Sequence, residues 1–414
     1  MGSWNRRSFL RTGAGMAGAF GVESLLAAVQ DNSTPYQRPK LKITDVKAAN
    51  LMGFHVRIYT DQGLYGDGEG VDAVSGGPSI LPGFRNALVG QSPLNIEGIW
   101  ERIRTSGIFG GAQAGQYVAT LTAVEIALWD LAGKALNMPI YQLMGGKLRD
   151  RIRVYCDCGT NDRKDPQARE YISQVVDNNF TMTKIDIDEA ADPSRFDRVN
   201  WTANNAEIDH MVDKVRFMRE SLPKEIELAV DMHGRYDLGT AKRVAKELEP
   251  FRLVWLEEPV PPENIDAMRD VRQSTHTPIC AGENIYLRWG FRELFEKQAV
   301  DIIMPDIQKC GGLAEGKKIA NMAQTYYVPI APHSQASPVG AMATAHMLAT
   351  VPNFLVVEWH WSHPGNRWER WKNFVKQGEI IEKGHIVVPD RPGIGVEMNE
   401  EYLRKVPGAT WFPA

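Results

Sequence analysis

Short apolar runs recur between Arg153 and Glu358, and each is followed by a polar residue and an amphipathic stretch. The eight runs begin at positions 153, 182, 226, 253, 278, 302, 328 and 354. Apolar runs that alternate with helical stretches are typical of a parallel sheet buried on both faces. The pattern therefore predicts an α/β fold, a (β/α)8 barrel of the modified TIM type, over residues 151–360.

The segments on either side of the barrel have different patterns. Residues 41–60 alternate loosely between apolar and polar positions and reach a turn at 60–63, which predicts a β-meander. Residues 119–136 carry apolar side chains at helical spacing. We assign residues 36–150 to an N-terminal α+β capping domain. Residues 361–414, rich in Trp and Pro, are expected to pack on that domain and complete it.

The N-terminus reads as a targeting segment. Asn5-Arg6-Arg7-Ser8-Phe9-Leu10-Arg11 places a twin-arginine pair before Phe-Leu, and a weakly apolar, Gly- and Ala-rich stretch runs from Thr12 to Val29. This pattern is typical of a Tat export signal, with cleavage near Ala27 or Ala28. The alternative is a disordered tail with two chance arginines. We assign residues 1–35 to the signal and expect a periplasmic protein.

Composition narrows the class of partner. A formal charge of -4 over 414 residues gives no reason to expect a nucleic-acid partner. No apolar run beyond the N-terminus is long enough to span a bilayer, so we expect no membrane association of the mature protein. Cys156, Cys158, Cys280 and Cys310 have no zinc-site spacing and are expected to be reduced core thiols. A small-molecule substrate is favoured, although composition alone also permits a binding protein.

Three carboxylates follow successive runs at equal spacing. Asp231, Glu257 and Glu283 are separated by 26 residues at each step, about the length of one βα repeat. They should therefore meet at the carboxyl ends of the strands, where barrel active sites lie. Carboxylates this close repel one another unless a cation joins them, and all-oxygen ligation favours Mg²⁺. The alternative is three unrelated charges, each paired with Arg or Lys.

Asp306 and His333 end the sixth and seventh runs and should be neighbours. An Asp bonded to one imidazole nitrogen orients the ring and leaves the other nitrogen to act as a general base. The alternative is a His with only a structural hydrogen bond. His233 follows Asp231 by two positions, so strand alternation places both side chains on one face, with His233 across the cavity from His333.

Lys184 and Asp186 share a face of the second strand by the same rule. Lys184 could bind a substrate carboxylate. The alternative reading of the pair is an internal salt bridge.

Several of these segments resemble a known superfamily. The segments are Trp255-Leu256-Glu257-Glu258-Pro259, Ala281-Gly282-Glu283, Met304-Pro305-Asp306 with Gly311-Gly312-Leu313, and Ala331-Pro332-His333. They are similar to barrel motifs of the enolase superfamily, in its mandelate racemase subgroup. Asp231-Met232-His233-Gly234-Arg235 and Lys246-Glu247-Leu248-Glu249-Pro250 most resemble galactonate dehydratase and related sugar-acid dehydratases.

The resemblance implies roles for the residues singled out above. Asp231, Glu257 (not Glu258) and Glu283 would hold one Mg²⁺ per active site. His333 with Asp306 would remove the proton α to a carboxylate, and His233 would protonate the leaving β-hydroxyl. Lys184, Asp186, Arg235 and Glu358 would bind substrate, Glu358 at its carboxylate. The implied reaction converts a small sugar acid, an aldonate such as galactonate or gluconate, or a uronate, to a 2-keto-3-deoxy acid, and we expect a homo-oligomer.

Two departures from the family pattern shape the alternatives. Lys184-Ile185-Asp186 replaces the Lys-x-Lys of racemases in this subgroup, so the second base is absent. The loop at Asn50-Leu51-Met52-Gly53 is shorter than that of galactonate dehydratase, which weighs against galactonate itself. A racemase or epimerase of a 2-hydroxy acid remains the alternative enzyme. A non-catalytic binding or scaffold protein is disfavoured because the carboxylates and the His-Asp pair are all present.

Overall fold

The computed structural model describes residues 39–157, 168–188, 199, 201–360 and 371–413. The assigned export signal at 1–35 and Cys158 lie outside these ranges. None of the helices within them has the length and apolarity needed to cross a bilayer.

The capping segment begins with the predicted meander, an antiparallel sheet in the order β1-β2-β3. Its strands are β1 (Ile43–Asn50), β2 (Phe54–Thr60) and β3 (Tyr65–Gly70). Four helices follow: α1 (Gly77–Leu88), α2 (Ile96–Ser106), α3 (Gly115–Leu136) and α4 (Ile140–Leu143). The predicted helix over 119–136 is confirmed as the larger part of α3.

Glycines at alternate positions of β3 determine how α3 packs on the sheet. A Cβ at Gly66, Gly68 or Gly70 would collide with backbone carbonyls of α3. The glycine face of the strand therefore lets the helix backbone lie directly on the sheet. The intervening residues, Asp67 and Glu69, are buried and make polar contacts elsewhere, Asp67 with Arg57 and Glu69 with Ser337.

The barrel is a ring of parallel strands. Its strands are β4 (Arg151–Asp157), β5 (Met182–Asp186), β6 (Glu227–Asp231), β7 (Leu256–Glu257), β8 (Ile279–Ala281), β9 (Ile302–Ile303) and β10 (Val357–His360). β4 to β9 pair in sequence order, and β10 pairs with β4 in parallel. Bridges from Ile303 to Ile330 and from Ile330 to Phe354 close the ring. The predicted (β/α)8 barrel with an α+β cap is thus confirmed.

The seventh predicted strand differs from expectation, because Val328–His333 contributes only bridges at Ile330. Pro329 and Pro332 flank that position, and proline has no N–H to donate to a sheet ladder.

Helices connect successive segments of the barrel sheet. They are α5 (Ala168–Asp177), α6 (Asn205–Ser221), α7 (Leu238–Leu248), α8 (Ile265–Arg272), α9 (Leu287–Glu296), α10 (Leu313–Thr325) and α11 (Pro338–Ala349). A single 3-10 turn, Glu249–Phe251, follows α7. The strongly amphipathic pattern of α7 buries Ala241, Val244 and Leu248.

An apolar layer of the barrel lies beneath the polar strand ends. It comprises Tyr155, Met182, Ala229, Trp255, Cys280, Ile302, Met304, Ala331 and Val356. Several of these residues precede a polar residue by two positions, so the two side chains share a face of the strand. Trp255 before Glu257 and Val356 before Glu358 are examples. Among the described residues, Cys156, Cys280 and Cys310 are buried thiols outside any disulfide, as expected.

The segment after the barrel contacts both other parts of the chain. Strands β11 (Ile381–Glu382) and β12 (His385–Val387) extend the barrel sheet, β12 pairing antiparallel with β4. Further on, past α12 (Glu400–Leu403), Thr410 forms a bridge with Asn50 of the cap. The segment thus joins the barrel as well as packing on the cap.

Candidate active site

Three carboxylates meet at the carboxyl ends of neighbouring strands. Asp231 and Glu257 are the last residues of β6 and β7 and are partners in the sheet register, and Glu283 follows β8 by two positions. One oxygen from each lies within 4.8 Å of the others. The structure therefore brings together the three residues that the regular spacing selected.

Lys184 of β5 lies among these carboxylates. Its Nζ is 3.1 Å from Asp231 Oδ2, 2.8 Å from Glu257 Oε1 and 3.0 Å from Glu358 Oε1. Burial opposes its charge, but Glu257 and Glu358 outweigh that effect and hold the pKa of Lys184 well above its ordinary value. Lys184 thus forms internal salt bridges with three carboxylates from other strands, whereas the alternative left open by the sequence was a salt bridge with Asp186.

His333 is held by Asp306, with 2.7 Å between Nδ1 and Oδ2. The carboxylate accepts from Nδ1, which leaves Nε2 at 3.4 Å from Glu283 Oε2 and 3.7 Å from Glu358 Oε2. Burial alone would lower the pKa of His333, but Glu283, Glu358 and Asp306 raise it to about 10. A cation on the neighbouring carboxylates would oppose this rise and favour the neutral imidazole that a base requires.

His233 lies beside Asp231, but a turn rather than strand alternation brings it there. Its φ is 47°, and its backbone N–H donates to Asp231 Oδ1 at 2.7 Å. Nε2 is 3.6 Å from Asp231 Oδ2, and the side chain is 34% exposed against 8% for His333. Burial lowers the pKa of His233, but Asp188 and Asp231 outweigh it and raise the pKa to about 10. These two carboxylates therefore favour the protonated form of the imidazole.

Asp188 is a site residue that the sequence reasoning missed. It is buried, and its two oxygens lie 2.8 Å from His233 Nδ1 and 2.5 Å from Arg235 Nε. The available signal was the alternation of Lys184, Asp186 and Asp188. Arg235 thus contacts Asp188, and its side chain is about half exposed.

Asp186, the last residue of β5, is the register partner of Asp231. Burial, followed by the charge of Asp231, raises the pKa of Asp186 to about 7. It lies close enough to Asp231 and His233 for one polar atom from each to fall within 4.8 Å of the others.

Glu358 on β10 is buried and receives hydrogen bonds and charge from several sides. Oε2 accepts from Ser334 N at 2.9 Å, and Oε1 faces Lys184. Burial would raise the pKa of Glu358, but Lys184, His333 and His360 lower it to about 2. Glu358 is therefore ionised at neutral pH.

A third imidazole-carboxylate pair, also missed from the sequence, lies beside Glu358. His360 Nδ1 is 3.1 Å from Asp157 Oδ2, and His360 Nε2 is 3.6 Å from Glu358 Oε1. The two residues are partners across β10 and β4. The signals were the alternation of Glu358 with His360 and the extension of the first strand to Asp157, beyond the run that ended at Tyr155.

Glu258 takes no part in the carboxylate triad, although it follows Glu257 directly. It accepts from Gly282 N at 3.3 Å and from Asn284 Nδ2 at 2.9 Å, on a backbone with φ of 33°. Burial and then Glu283 raise the pKa of Glu258 to about 7.

The triad fits a hard divalent cation by the chemistry of its donors. All three groups offer carboxylate oxygens. None of the clusters of possible metal ligands among the described residues contains a cysteine, whose thiolate would favour a softer metal. Burial and then Asp231 raise the pKa of Glu257 well above its ordinary value. A cation would relieve this repulsion, so Asp231, Glu257 and Glu283 fit Mg²⁺.

Comparison with known proteins places the chain in a family. The model of the mandelate racemase/muconate lactonizing enzyme N-terminal domain matches residues 26–145, and the enolase C-terminal domain-like model matches 167–402. D-xylonate dehydratase of Haloferax volcanii is 40% identical over 379 residues, 90% of each chain. D-galactonate dehydratase of Pectobacterium atrosepticum is 32% identical over 371 residues, 88% of this chain and 94% of that protein.

Solved structures give the same result. A mandelate racemase/muconate lactonizing enzyme-like protein from Rubrobacter xylanophilus superposes with a TM-score of 0.84 at 41% identity, over 90% of this chain and 99% of that one. The 3,6-anhydro-D-galactonate cycloisomerase from Zobellia galactanivorans superposes at 0.76 with 28% identity, over 88% and 98%. The chain belongs to the mandelate racemase subgroup of the enolase superfamily.

Proposed function

We propose that this protein is a Mg²⁺-dependent dehydratase of a sugar acid, which converts an aldonate or a uronate to a 2-keto-3-deoxy acid. One observation carries the proposal: two Asp-held histidines lie at opposite ends of the carboxylate triad. His333 Nε2 is 3.4 Å from Glu283, and His233 Nε2 is 3.6 Å from Asp231. A small acid bound at the triad would lie within reach of both imidazoles.

Asp231, Glu257 and Glu283 would hold the Mg²⁺. When bound, the ion supplies Lewis-acid stabilisation of the charge that develops on the substrate carboxylate, an effect worth several kcal/mol. Lys184 adds a buried positive charge on the same side, and its ammonium lies 3.0 Å from Glu358 of β10.

His333 would remove the α-proton through Nε2, while Asp306 holds the ring and stabilises the imidazolium that forms. His233 would donate a proton to the β-hydroxyl, because hydroxide is a poor leaving group and water is a better one. Asp188, which is hydrogen-bonded to Nδ1, favours the protonated form of this imidazole. The C–H and C–O bonds break, water leaves, and the enol tautomerises to the 2-keto acid.

The relatives guide the choice of substrate. Two of them are dehydratases of D-xylonate and of D-galactonate, which are five- and six-carbon aldonates. We propose an aldonate of this size, with xylonate, galactonate and gluconate to be tested before uronates.

The proposal is tested by incubating the purified enzyme and Mg²⁺ with a panel of aldonates and uronates and measuring 2-keto acid. At least one member should give product, and H333N, shown to be folded by circular dichroism, should give none. Absence of keto acid across the whole panel would contradict the proposal.

Racemisation or epimerisation of a 2-hydroxy acid is the alternative on the same scaffold. Asp186 occupies the second-strand position at which such racemases carry a Lys base, which weighs against it. Solvent deuterium entering the α-position of an acid without loss of water would favour the alternative.

We also propose that the enzyme works in the periplasm, on the strength of the twin-arginine segment Arg6-Arg7. A fusion of residues 1–35 to a reporter should be exported through the Tat pathway, and R6K with R7K should block export. Export unaffected by that double change would contradict the assignment.

Assembly of the enzyme is a separate expectation. We expect a homo-oligomer, and light scattering of the purified protein would reveal a monomer if this is wrong.

A further inference from the structure

Each carboxylate of the triad has one oxygen that accepts a hydrogen bond from a nearby N–H group. The three bonds are His233 N to Asp231 Oδ1 at 2.7 Å, Trp255 Nε1 to Glu257 Oε2 at 2.9 Å, and Asn284 Nδ2 to Glu283 Oε1 at 3.1 Å. A hydrogen bond to one oxygen fixes the orientation of a carboxylate and leaves the second oxygen as the one directed to a metal ion. The proposed reaction gives Trp255 and Asn284 no task.

The other oxygen of each carboxylate faces a basic side chain. Asp231 Oδ2 and Glu257 Oε1 lie 3.1 Å and 2.8 Å from Lys184 Nζ. Glu283 Oε2 lies 3.4 Å from His333 Nε2. A carboxylate oxygen has two lone pairs, so each of these oxygens can bind a cation and keep its present contact. Each carboxylate therefore offers a cation one oxygen rather than two.

Trp255 is the more firmly held of the two side-chain donors. It precedes Glu257 by two positions, so both side chains lie on one face of the strand. Its indole is fully buried in the apolar layer and meets the ring of Tyr155 edge-on, with 5.5 Å between the ring centres. An indole N–H only donates, and its place in the packed layer keeps it directed at Glu257 Oε2. Asn284 is exposed, so its bond to Glu283 is broken more easily.

The number of oxygens that a carboxylate offers distinguishes Mg²⁺ from Ca²⁺. Mg²⁺ is small and demands near-octahedral ligation, which single carboxylate oxygens and water satisfy. Ca²⁺ is larger, takes about six to eight oxygens and commonly binds both oxygens of a carboxylate. A site whose carboxylates each offer one oxygen therefore suits Mg²⁺ better than Ca²⁺.

We propose that these donors, Trp255 above all, are positioning residues that hold the triad to one oxygen per carboxylate and so make the site select Mg²⁺ over Ca²⁺. This inference rests on the metal site of the proposed function and adds the residues that determine its ion. Removal of the indole N–H would free Glu257 Oε2 to turn towards the cation. That change weakens the arrangement for Mg²⁺ and supplies Ca²⁺ with a further oxygen.

The test measures the dissociation constants of Mg²⁺ alone and of Ca²⁺ alone by isothermal titration calorimetry on the chelator-treated full chain. The proteins compared are the wild type, W255F and N284A. W255F should weaken Mg²⁺ binding about 10-fold or more, the usual effect of losing a hydrogen bond to a metal ligand, and change Ca²⁺ binding by less than about threefold. N284A should lower the preference for Mg²⁺ in the same direction.

W100F is the matched control, because Trp100 is also a buried indole but donates to a backbone oxygen, Gly311 O at 2.9 Å. It should leave both dissociation constants unchanged, and circular dichroism shows whether each variant is folded. Equal weakening of both ions by W255F, or no change in either, overturns the inference. If W255F does not fold, N284A decides, and an unchanged preference for Mg²⁺ overturns it. Failure of the wild type to bind Mg²⁺ counts instead against the proposed function.

Discussion

At the residue scale, the two histidines proposed to transfer protons are held in the same way but lie in different surroundings. His333 and His233 are each held through Nδ1 by a buried aspartate, Asp306 and Asp188. His333 is enclosed near Glu283 and Glu358, whereas His233 is partly open to solvent. A fixed ring with one free nitrogen suits proton transfer in either direction, so the surroundings must set which histidine is the base and which the acid.

D188N should separate the two halves of the reaction. Loss of the Asp188 charge leaves His233 less firmly oriented and less readily protonated, so dehydration should fall about 100-fold. Exchange of the α-proton with solvent deuterium should continue, because His333 and Asp306 are unchanged. Nuclear magnetic resonance in D₂O follows both processes in one sample.

Asp213 on α6 provides the matched control. It pairs with Arg216 on the surface, so D213N should leave both rates unchanged. If D188N slowed exchange and dehydration equally, Asp188 would have a structural role, and the proposed division of labour would be wrong.

The sequence predicted site residues where a regular repeat positions them. Asp231, Glu257 and Glu283 could be selected because the 26-residue spacing puts one residue at the end of each strand. Asp188 and His360 could not be identified in that way, because each lies beyond the strand-end residue already chosen. Each can be recognised as a site residue only once its partner in space is known, His233 for Asp188 and Asp157 for His360.

At the scale of elements, two buried cap carboxylates bind the first turns of barrel helices. Glu125 of α3 accepts from Leu313 N at 2.8 Å and Ala314 N at 2.9 Å, at the start of α10. Glu69 of β3 accepts from Ser337 N and Gly340 N at the start of α11. The first backbone N–H groups of a helix lack intrahelical partners, so the cap supplies them. Because α10 and α11 follow the strand ends bearing Asp306 and His333, these contacts also support the site.

E125A should destabilise the protein by about 2–4 kcal/mol, since the backbone N–H groups of Leu313 and Ala314 and the indole N–H of Trp129 would lose their acceptor. Urea denaturation followed by circular dichroism measures the change. E97A is the control, because Glu97 forms an exposed pair with Lys318, and such pairs contribute about 0–1 kcal/mol. A loss from E125A no greater than that from E97A would show that the capping contacts are unimportant.

His346 of α11 joins three elements in its neutral form. Nε2 donates to Ile394 O at 2.9 Å, Nδ1 accepts from Tyr141 N at 3.4 Å, and the ring stacks on Tyr141. Burial lowers the pKa of His346 to about 4. Between pH 6.5 and pH 4 the unfolded chain therefore binds the proton more readily than the folded chain does. The stability from this residue is present above pH 6.5 and is lost as pH falls towards 4.

Between pH 7 and pH 4, the free energy of unfolding of the wild type should therefore fall by about 3 kcal/mol more than that of H346F. H346F should be less stable at pH 7, and the difference between the two proteins should narrow as the pH falls. Urea titrations at half-unit steps of pH provide the comparison. Parallel curves for the two proteins would mean that His346 does not titrate as its contacts imply.

The elements themselves were predictable to different degrees. Helix α3 and strands β5 and β6 could be predicted from the pattern of apolar residues, because their apolar side chains are the ones that the fold buries. Strand β12 was not predicted; its three residues pair with the two-residue strand β11 and with Arg151–Arg153, more than 200 residues earlier. Contacts so distant in sequence leave no periodic signal.

At the scale of the whole molecule, cap, barrel and C-terminal segment interlock. Arg57 of β2 forms a salt bridge with Asp67 and lies 4.5 Å from the ring centre of Phe412, near the end of the chain. Asp72, just beyond β3, pairs at 2.9 Å with Lys309, three residues after Asp306. The cap therefore reaches the rim of the candidate site and is well placed to influence which acid enters. Loop conformations of this kind depend on tertiary contacts, so the sequence alone indicated a sugar acid and not a particular one.

The central claim is that a divalent cation on the carboxylate triad supports dehydration of a sugar acid. The most direct measurement treats the enzyme with a chelator, adds the best aldonate in D₂O, and follows the 2-keto-3-deoxy acid by nuclear magnetic resonance before and after addition of Mg²⁺. Product should form only after Mg²⁺ is added and should not form with folded E257Q, whereas E263Q, altered at an exposed position, should match the wild type. Turnover without a divalent cation, or turnover by E257Q at the wild-type rate, would contradict the account.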